Sequence, residues 1–468
     1  MRSPNLTLSL LGALSLLSAC TSFRPDQPLA VASGFAAHHL CSETFVSGLS
    51  PEWIFENRIA PTGGLKYVAP LTSYKVDTDK REVETKVAGL YTRRAVYREG
   101  YGCVIYNPKS ETAPESPPHV DAANVSAPAL PPIADVDLVE PTHPALRQAV
   151  DRAFQERNEP PLIRTTAVLV LKNGKLIAER YGHGVGIDTP VLGFSATKSV
   201  TNALLGILVR QGKLDMHKPA PFAQWADPAD PRHAITPDQL LRQTSGLNLE
   251  QDNSGFDRNA RMMYVERDMA AFALGSTLQH PPGTQWAYAD GHFTLLSRVI
   301  RDAVGGTAQE VAAFAERELF GPLGMRHALL EFDATGTPLG ANYLFATGRD
   351  WARFGQLYLN DGMAGNQRIL PPGWVKYSAT QTLATGYGAG FWTNGVKGNA
   401  PWGGPWGMPD VPPDAFFAMG FMGQHVVVVP SEQLVVVRLG VSHHYDGLIK
   451  GMNRLVADVI AAQATTQP

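Results

Sequence analysis

Two valine-rich runs near the C-terminus constrain this chain most. Residues 424–429 read Gln-His-Val-Val-Val-Val, Pro430-Ser431-Glu432 turns the chain, and residues 434–439 read Leu-Val-Val-Val-Arg-Leu. Runs this apolar on both side-chain faces predict paired central strands covered on both sides. A second pair stands far upstream. Residues 166–171 are apolar, Lys172-Asn173-Gly174-Lys175 makes a turn, and residues 176–181 return. Asn-Gly between two such runs is a strong hairpin signal. Most of the sequence between the two pairs carries helical periodicity. Strands first, helices in the middle and strands last predict an α+β domain. One antiparallel sheet takes strands from both ends of residues 143–468, and a helical lobe is inserted between them.

Inside that lobe, Phe194-Ser195-Ala196-Thr197-Lys198-Ser199-Val200 opens an amphipathic stretch in which Val200, Ala203, Leu204, Ile207 and Leu208 recur at helical spacing. Gly212 follows where a helix ends. A helix starting near Ser195 puts Ser195 and Lys198 one turn apart on one face. A serine hydroxyl is a weak nucleophile until a neighbour takes its proton, and an amine whose pKa is lowered can do so. Helix N-terminal N–H groups then face developing negative charge. A four-residue pattern is weak alone, since most matches are a solvated serine and lysine.

The chain of 468 residues is long for one domain, and its 44% hydrophobic content supports a large core. A net charge of -3 gives no reason to expect a nucleic-acid partner. No Cys/His cluster has metal-ligand spacing and no Gly-rich phosphate loop stands out, so no metal or cofactor is expected. Residues 1–20 read as an export signal: Arg2, a short apolar run, then Leu17-Ser18-Ala19-Cys20. That ending resembles a bacterial lipobox, which makes Cys20 the lipidated N-terminus of an envelope lipoprotein. Thr21 in place of aspartate after Cys20 points to the outer membrane. In an oxidising compartment the remaining cysteines, Cys41 and Cys103, are expected to pair. Residues 21–106 form a small N-terminal region with strands in 83–106, and the proline-rich stretch 107–142 is a linker that can wrap the next domain. Residues 380–413, crowded with Gly, Trp and Pro, suit a pocket-lining loop and an ordinary surface loop equally.

Over residues 143–468 the sequence resembles serine hydrolases of the β-lactamase and penicillin-binding-protein superfamily, on its class C-like branch with esterases and 6-aminohexanoate-dimer hydrolases. The matching pieces are F-S-A-T-K-S-V at 194–200, L-L-R-Q-T-S-G-L at 240–247, P-G-T-Q-W-A-Y-A-D at 282–290, P-L-G-M at 322–325 and A-T-G-R-D-W-A-R-F-G at 346–355. The resemblance implies a β-lactamase-like fold and catalysis by Ser195, Lys198 and Tyr288. Tyr288 is then the base partner, its phenolate favoured by the lysine cation. Asp290 stands where the family has asparagine and lines the substrate site. The family's Lys-Thr-Gly motif aligns with Ala418-Met419-Gly420; Gly420 remains but the lysine does not. The main-chain N–H groups of Ser195 and Phe421 are the implied oxyanion hole. The expected activity is hydrolysis of a small or peptide-like ester or amide through an acyl-enzyme. Two alternatives are a β-lactamase or DD-peptidase and a non-catalytic binding module on the same fold. The sequence leaves the oligomeric state open.

Overall fold

The computed structural model describes residues 26–120, 127–134, 137–252, 254–395 and 407–464. The central sheet has six antiparallel strands, in the order Trp392–Thr393, Phe416–Gly420, Gln424–Val429, Leu434–Gly440, Thr165–Lys172 and Lys175–Tyr181. The last strand of the domain therefore pairs with its first, with Val436 opposite Val170. Alternation explains the valines. Val168, Val170, Val427, Val429 and Val436 face the helices Pro144–Phe154 and Ile449–Ala464. Leu169, Leu171, Val426, Val428, Val435 and Val437 face the helix Gly348–Leu359 and the lobe beyond it. The apolar β-branched side chains thus serve two cores from the same strands. The expected α+β architecture, with its inserted helical lobe, is the one observed.

Some local expectations shift. The α-helix that follows the nucleophile candidate is Thr197–Arg210, and Ser195 lies in the 3-10 turn Phe194–Ala196 just before it. The helix after Tyr288 spans Asp290–Val304, with Asp290 in its first turn. The loop after Leu247 contains the short helix Arg258–Tyr264, capped by the Asp257 side chain on the Ala260 N–H.

The N-terminal region is a four-stranded antiparallel meander, Thr72–Asp77, Glu82–Val87, Tyr91–Arg98 and Gly102–Tyr106, packed on the helix Gln27–Phe45. Sequence periodicity does not reveal that helix because residues 30–43 are buried all round. A disulfide joins Cys41 of the helix to Cys103 of the last strand, with Cα atoms 6.1 Å apart. The described parts of 107–142 run along the hydrolase-like domain. Ala129 donates to Pro322 O at 2.8 Å, Pro131 O accepts from Arg353, and Val139 accepts from the Glu179 main-chain N–H and donates its own N–H to Glu179 Oε1. Residues 1–25, which include Cys20, lie outside the described residues.

Candidate active site

The Ser195 turn is set by its neighbours. Gly193 donates to Leu344 O at 2.8 Å, and a Cβ on Gly193 would sit 2.4 Å from the Trp351 ring, so only glycine fits. Phe194 then takes φ +46° and swings the chain into the turn that carries Ser195. Lys198 follows one turn on, buried, with Nζ 3.1 Å from Ser195 Oγ. It also reaches Asp290 Oδ1 at 2.6 Å and Ala341 O at 3.1 Å. An ammonium has three donors, and each has a partner here. Burial pulls the Lys198 pKa below its ordinary value, against the opposing pull of Asp290.

Tyr288 sits on a turn held by Gln243, whose main-chain O accepts from Ala287 at 3.0 Å and whose Oε1 accepts from Ala289 at 2.7 Å. The L-L-R-Q-T-S-G-L stretch is therefore the scaffold of this turn; Thr244 O and Gly246 O also accept from Gly283 and Gln279. The Tyr288 ring lies 4.9 Å from Lys198 Nζ. Trp286, Tyr387 and Trp392 surround the ring, Trp392 stacked at 5.5 Å. Burial first and Asp290 second push the Tyr288 pKa well above the ordinary phenol value, opposed by the Ser195 side chain. The expectation that the lysine cation favours a phenolate is corrected on this point. Burial first and the Asp290 carboxylate second work against a phenolate here, in the opposite direction to the lysine cation.

Asp290 anchors a network that the sequence does not announce. Its main-chain N–H donates to Gln251 Oε1 at 2.7 Å. Its Oδ2 accepts from Asn259 Nδ2 at 3.0 Å and from Asn342 Nδ2 at 2.7 Å. The carboxylate fixes which way the Asn342 amide points, since only the NH2 can donate to it. Asn342 Oδ1 is thereby turned to Ser195 Oγ, 3.2 Å away. Neither Gln251 and Asn259, in a polar loop, nor Asn342, in an unpatterned Gly-Ala-Asn-Tyr stretch, carries a spacing signal.

The strand Phe416–Gly420 ends beside the nucleophile turn, where a Cβ on Gly420 would lie 2.1 Å from Gly193 O. The chain then turns through Phe421–Gly423, with Met422 at φ +61°. Gln424 Nε2 ties Phe421 O at 3.0 Å and Gly440 O at 2.7 Å. Ser442 donates to Met422 O, and Arg438 Nη1 donates to Gly423 O at 2.7 Å. The G-x-x-G-Q pattern is thus a tied turn. Ala418, at the family's lysine position, is buried, and Arg438 spends its other donors on Ile163 O, Thr165 Oγ1 and Ser442 Oγ. Trp402 and Trp406 of the 380–413 stretch lie outside the described residues.

A family profile described as Beta-lactamase matches residues 150–460. The chain belongs to the Beta-lactamase family. Similarity to individual members is distant. Protein flp of Staphylococcus aureus (strain MRSA252) is 27% identical over 196 residues, 39% of this chain and 38% of that protein. The chain thus spans less than half the length of that relative. The 6-aminohexanoate-dimer hydrolase of Paenarthrobacter ureafaciens is 22% identical over 309 residues, 62% of this chain and 76% of that one. Among solved structures, a penicillin-binding-protein homologue from Caulobacter crescentus superposes with TM-score 0.54 at 18% identity, covering 70% of this chain and 100% of that one. A family VIII carboxylesterase gives 0.52 at 16%, covering 69% and 98%. These establish a Beta-lactamase-family fold. The N-terminal lobe and the whole 107–142 linker lie outside the profile.

Proposed function

We propose that this Beta-lactamase-family protein is a serine hydrolase that cleaves an ester or amide through an acyl-enzyme. One observation carries the reading: the buried Lys198 Nζ lies 3.1 Å from Ser195 Oγ and 4.9 Å from the centre of the Tyr288 ring, which brings the three side chains together. In this reading the reacting form carries Lys198 as the free amine, one proton having gone to solvent as burial favours, and Ser195 Oγ attacks the carbonyl carbon while its proton passes to that amine. Tyr288 begins as a phenol and relays a proton to the leaving alcohol or amine, recovering one from Lys198. The Ser195 and Phe421 amides hold the tetrahedral oxyanion. Water then adds to the acyl-serine by the reverse proton path, and the carboxylic acid leaves.

The charge pattern supports neutral substrates over carboxylate-bearing ones. The lysine that family relatives place in Lys-Thr-Gly is absent, Lys198 is saturated, and Arg438 is committed to the tied turn. p-Nitrophenyl acetate and butyrate with nitrocefin in parallel, each beside Ser195→Ala, test this. Ester turnover lost in the alanine variant with nitrocefin untouched is the expected result. Serine-dependent nitrocefin turnover would favour the β-lactamase reading, and loss of neither activity would remove the hydrolase reading. We also propose lipid anchoring at Cys20 in the bacterial envelope, facing the periplasm from the outer membrane. Cys20→Ala should leave the membrane fraction if this is correct.

A further inference from the structure

The N-terminal lobe reaches the back of the site through one side chain. Arg58, in the wide helical turn Phe55–Ile59, is buried and ion-paired through Nε with Glu43 of the Gln27–Phe45 helix, also buried. Glu43 Oε1 is held in turn by His39 Nδ1 at 3.1 Å. The guanidinium has two further neighbours. Its Cζ lies 5.8 Å from the centroid of the Phe194 ring, and Nη1 lies 3.9 Å from Met422 Sδ. Phe194 directly precedes Ser195, and Met422 directly follows Phe421.

These two residues share a conformation. Phe194 has φ +46° and Met422 has φ +61°, both in the left-handed region that side chains with a Cβ seldom adopt. Such residues persist where the surroundings over-determine them, and they gather at functional sites. Phe194 turns the chain into the peptide that carries the Ser195 N–H, and Met422 fixes the peptide that follows Phe421 and so the turn in which the Phe421 N–H sits. The two side chains that must stay in place for this meet the same guanidinium. Other parts of the lobe brace the same corner. The His39 ring stacks on Phe194 with centroids 5.6 Å apart, and Asn57 O accepts from His443 Nε2 at 2.8 Å. Phe194 and Phe421 also meet edge to face at 5.6 Å, closing the corner.

We propose that Arg58 is a positioning residue for the oxyanion hole, and that the N-terminal lobe is therefore part of the catalytic unit. Arg58 touches no reacting atom; it acts through Phe194 and Met422. The proposal deepens the hydrolase reading and rests on it for the catalytic consequence. The clamp itself has a readout that needs no turnover.

The test uses the full chain with three changes: Arg58→Lys, Arg58→Met, and the double variant Arg58→Met/Glu43→Leu. The double variant removes both buried charges together, so it avoids the stranded carboxylate that could unfold Arg58→Met. Amide hydrogen exchange is followed at residues 193–196 and 420–424, and ester hydrolysis is followed in parallel. In the folded double variant, exchange at these amides should rise about tenfold or more. The kcat should fall about 10–100-fold with KM within about twofold, as expected for weakened donors that act only on the transition state. Arg58→Lys keeps a charge for Glu43 but loses the guanidinium plane, and it should not restore kcat. Unchanged exchange in the double variant overturns the clamp. Raised exchange with KM increased and kcat unchanged overturns the oxyanion role. Wild-type ester turnover that survives Ser195→Ala would instead reject the hydrolase reading, while the exchange measurement still decides the clamp.

Discussion

Asp290→Ala isolates the most demanding interaction in the site. The carboxylate stands 2.6 Å from Lys198 Nζ, with side-chain exposures of 2% for the lysine and 5% for the aspartate. Removing one member of so buried a pair leaves an uncompensated charge and costs roughly 3–5 kcal/mol. For domains of 150–250 residues each kcal/mol moves the melting temperature by roughly 2–4 °C, so at about 2 °C per kcal/mol for this larger chain a fall of about 6–10 °C is expected. Thermal unfolding followed by circular dichroism measures it. The decisive variant is Asp290→Ala/Lys198→Met. Buried pairs replaced together by apolar groups are often neutral in stability, so the double variant should recover most of the loss. What remains unrecovered is assigned to Asn342 and Asn259, whose NH2 groups lose their common acceptor. A loss below about 1 kcal/mol for Asp290→Ala, the range of exposed pairs, would refute the argument. So would a double variant whose loss equals the sum of the two singles, since coupled partners do not add.

Other outcomes follow from the same geometry. Tyr288→Phe should lower kcat by roughly 10²–10⁴ with little change in KM, measured with p-nitrophenyl esters, because proton transfer is lost and the ring packing is kept. Asn342→Ala removes the amide oxygen that faces Ser195 and should reduce kcat/KM about 10–100-fold, in the range of roughly 1–3 kcal/mol for a disrupted buried hydrogen-bond network. Reducing the Cys41–Cys103 bond, which closes a sequence separation of 62, should lower stability by about 2–4 kcal/mol in a melt with and without reductant. His292 is buried beside Ser245 at 2.9 Å, and burial lowers its pKa from 6.5 to about 4. The unfolded chain then binds the proton first, so stability falls as pH drops from about 6.5 to about 4, by roughly 3 kcal/mol from this group. His292→Gln should flatten that part of the stability curve, while an unchanged slope would remove the assignment.

The fold was legible where apolar patterning is extreme. Valines at 426–429 and 435–437 serve two cores, and no exposed strand would carry them on both faces. The helix Gln27–Phe45 was opaque for a related reason. It is buried around its whole circumference, so it has no polar face to set a period. In the site, Ser195 and Lys198 were readable because a single helical turn brings them together. Asn342 and Asn259 meet Asp290 only through tertiary structure, from a loop after the lobe and from a short helix before it. No spacing in the chain encodes that meeting. The phenolate expectation lacked the same kind of information: a local lysine is visible in sequence, whereas the burial and the carboxylate that oppose a phenolate come from the fold.

The aspartate at 290 therefore redistributes work that one asparagine side chain would otherwise share. An asparagine can accept from the lysine with its oxygen and offer its NH2 to a substrate carbonyl. Asp290 keeps the first role with a full charge and cannot perform the second. Its other oxygen instead draws the Asn342 NH2 inward and leaves the Asn342 amide oxygen facing Ser195. That oxygen accepts from Ser195 Oγ at 3.2 Å, so the amide is held against the serine whose lysine neighbour is paired with Asp290. Asp290 thereby joins Lys198, Asn259 and Asn342 into one network around Ser195, and a substitution at any of the four is expected to be felt at the serine hydroxyl.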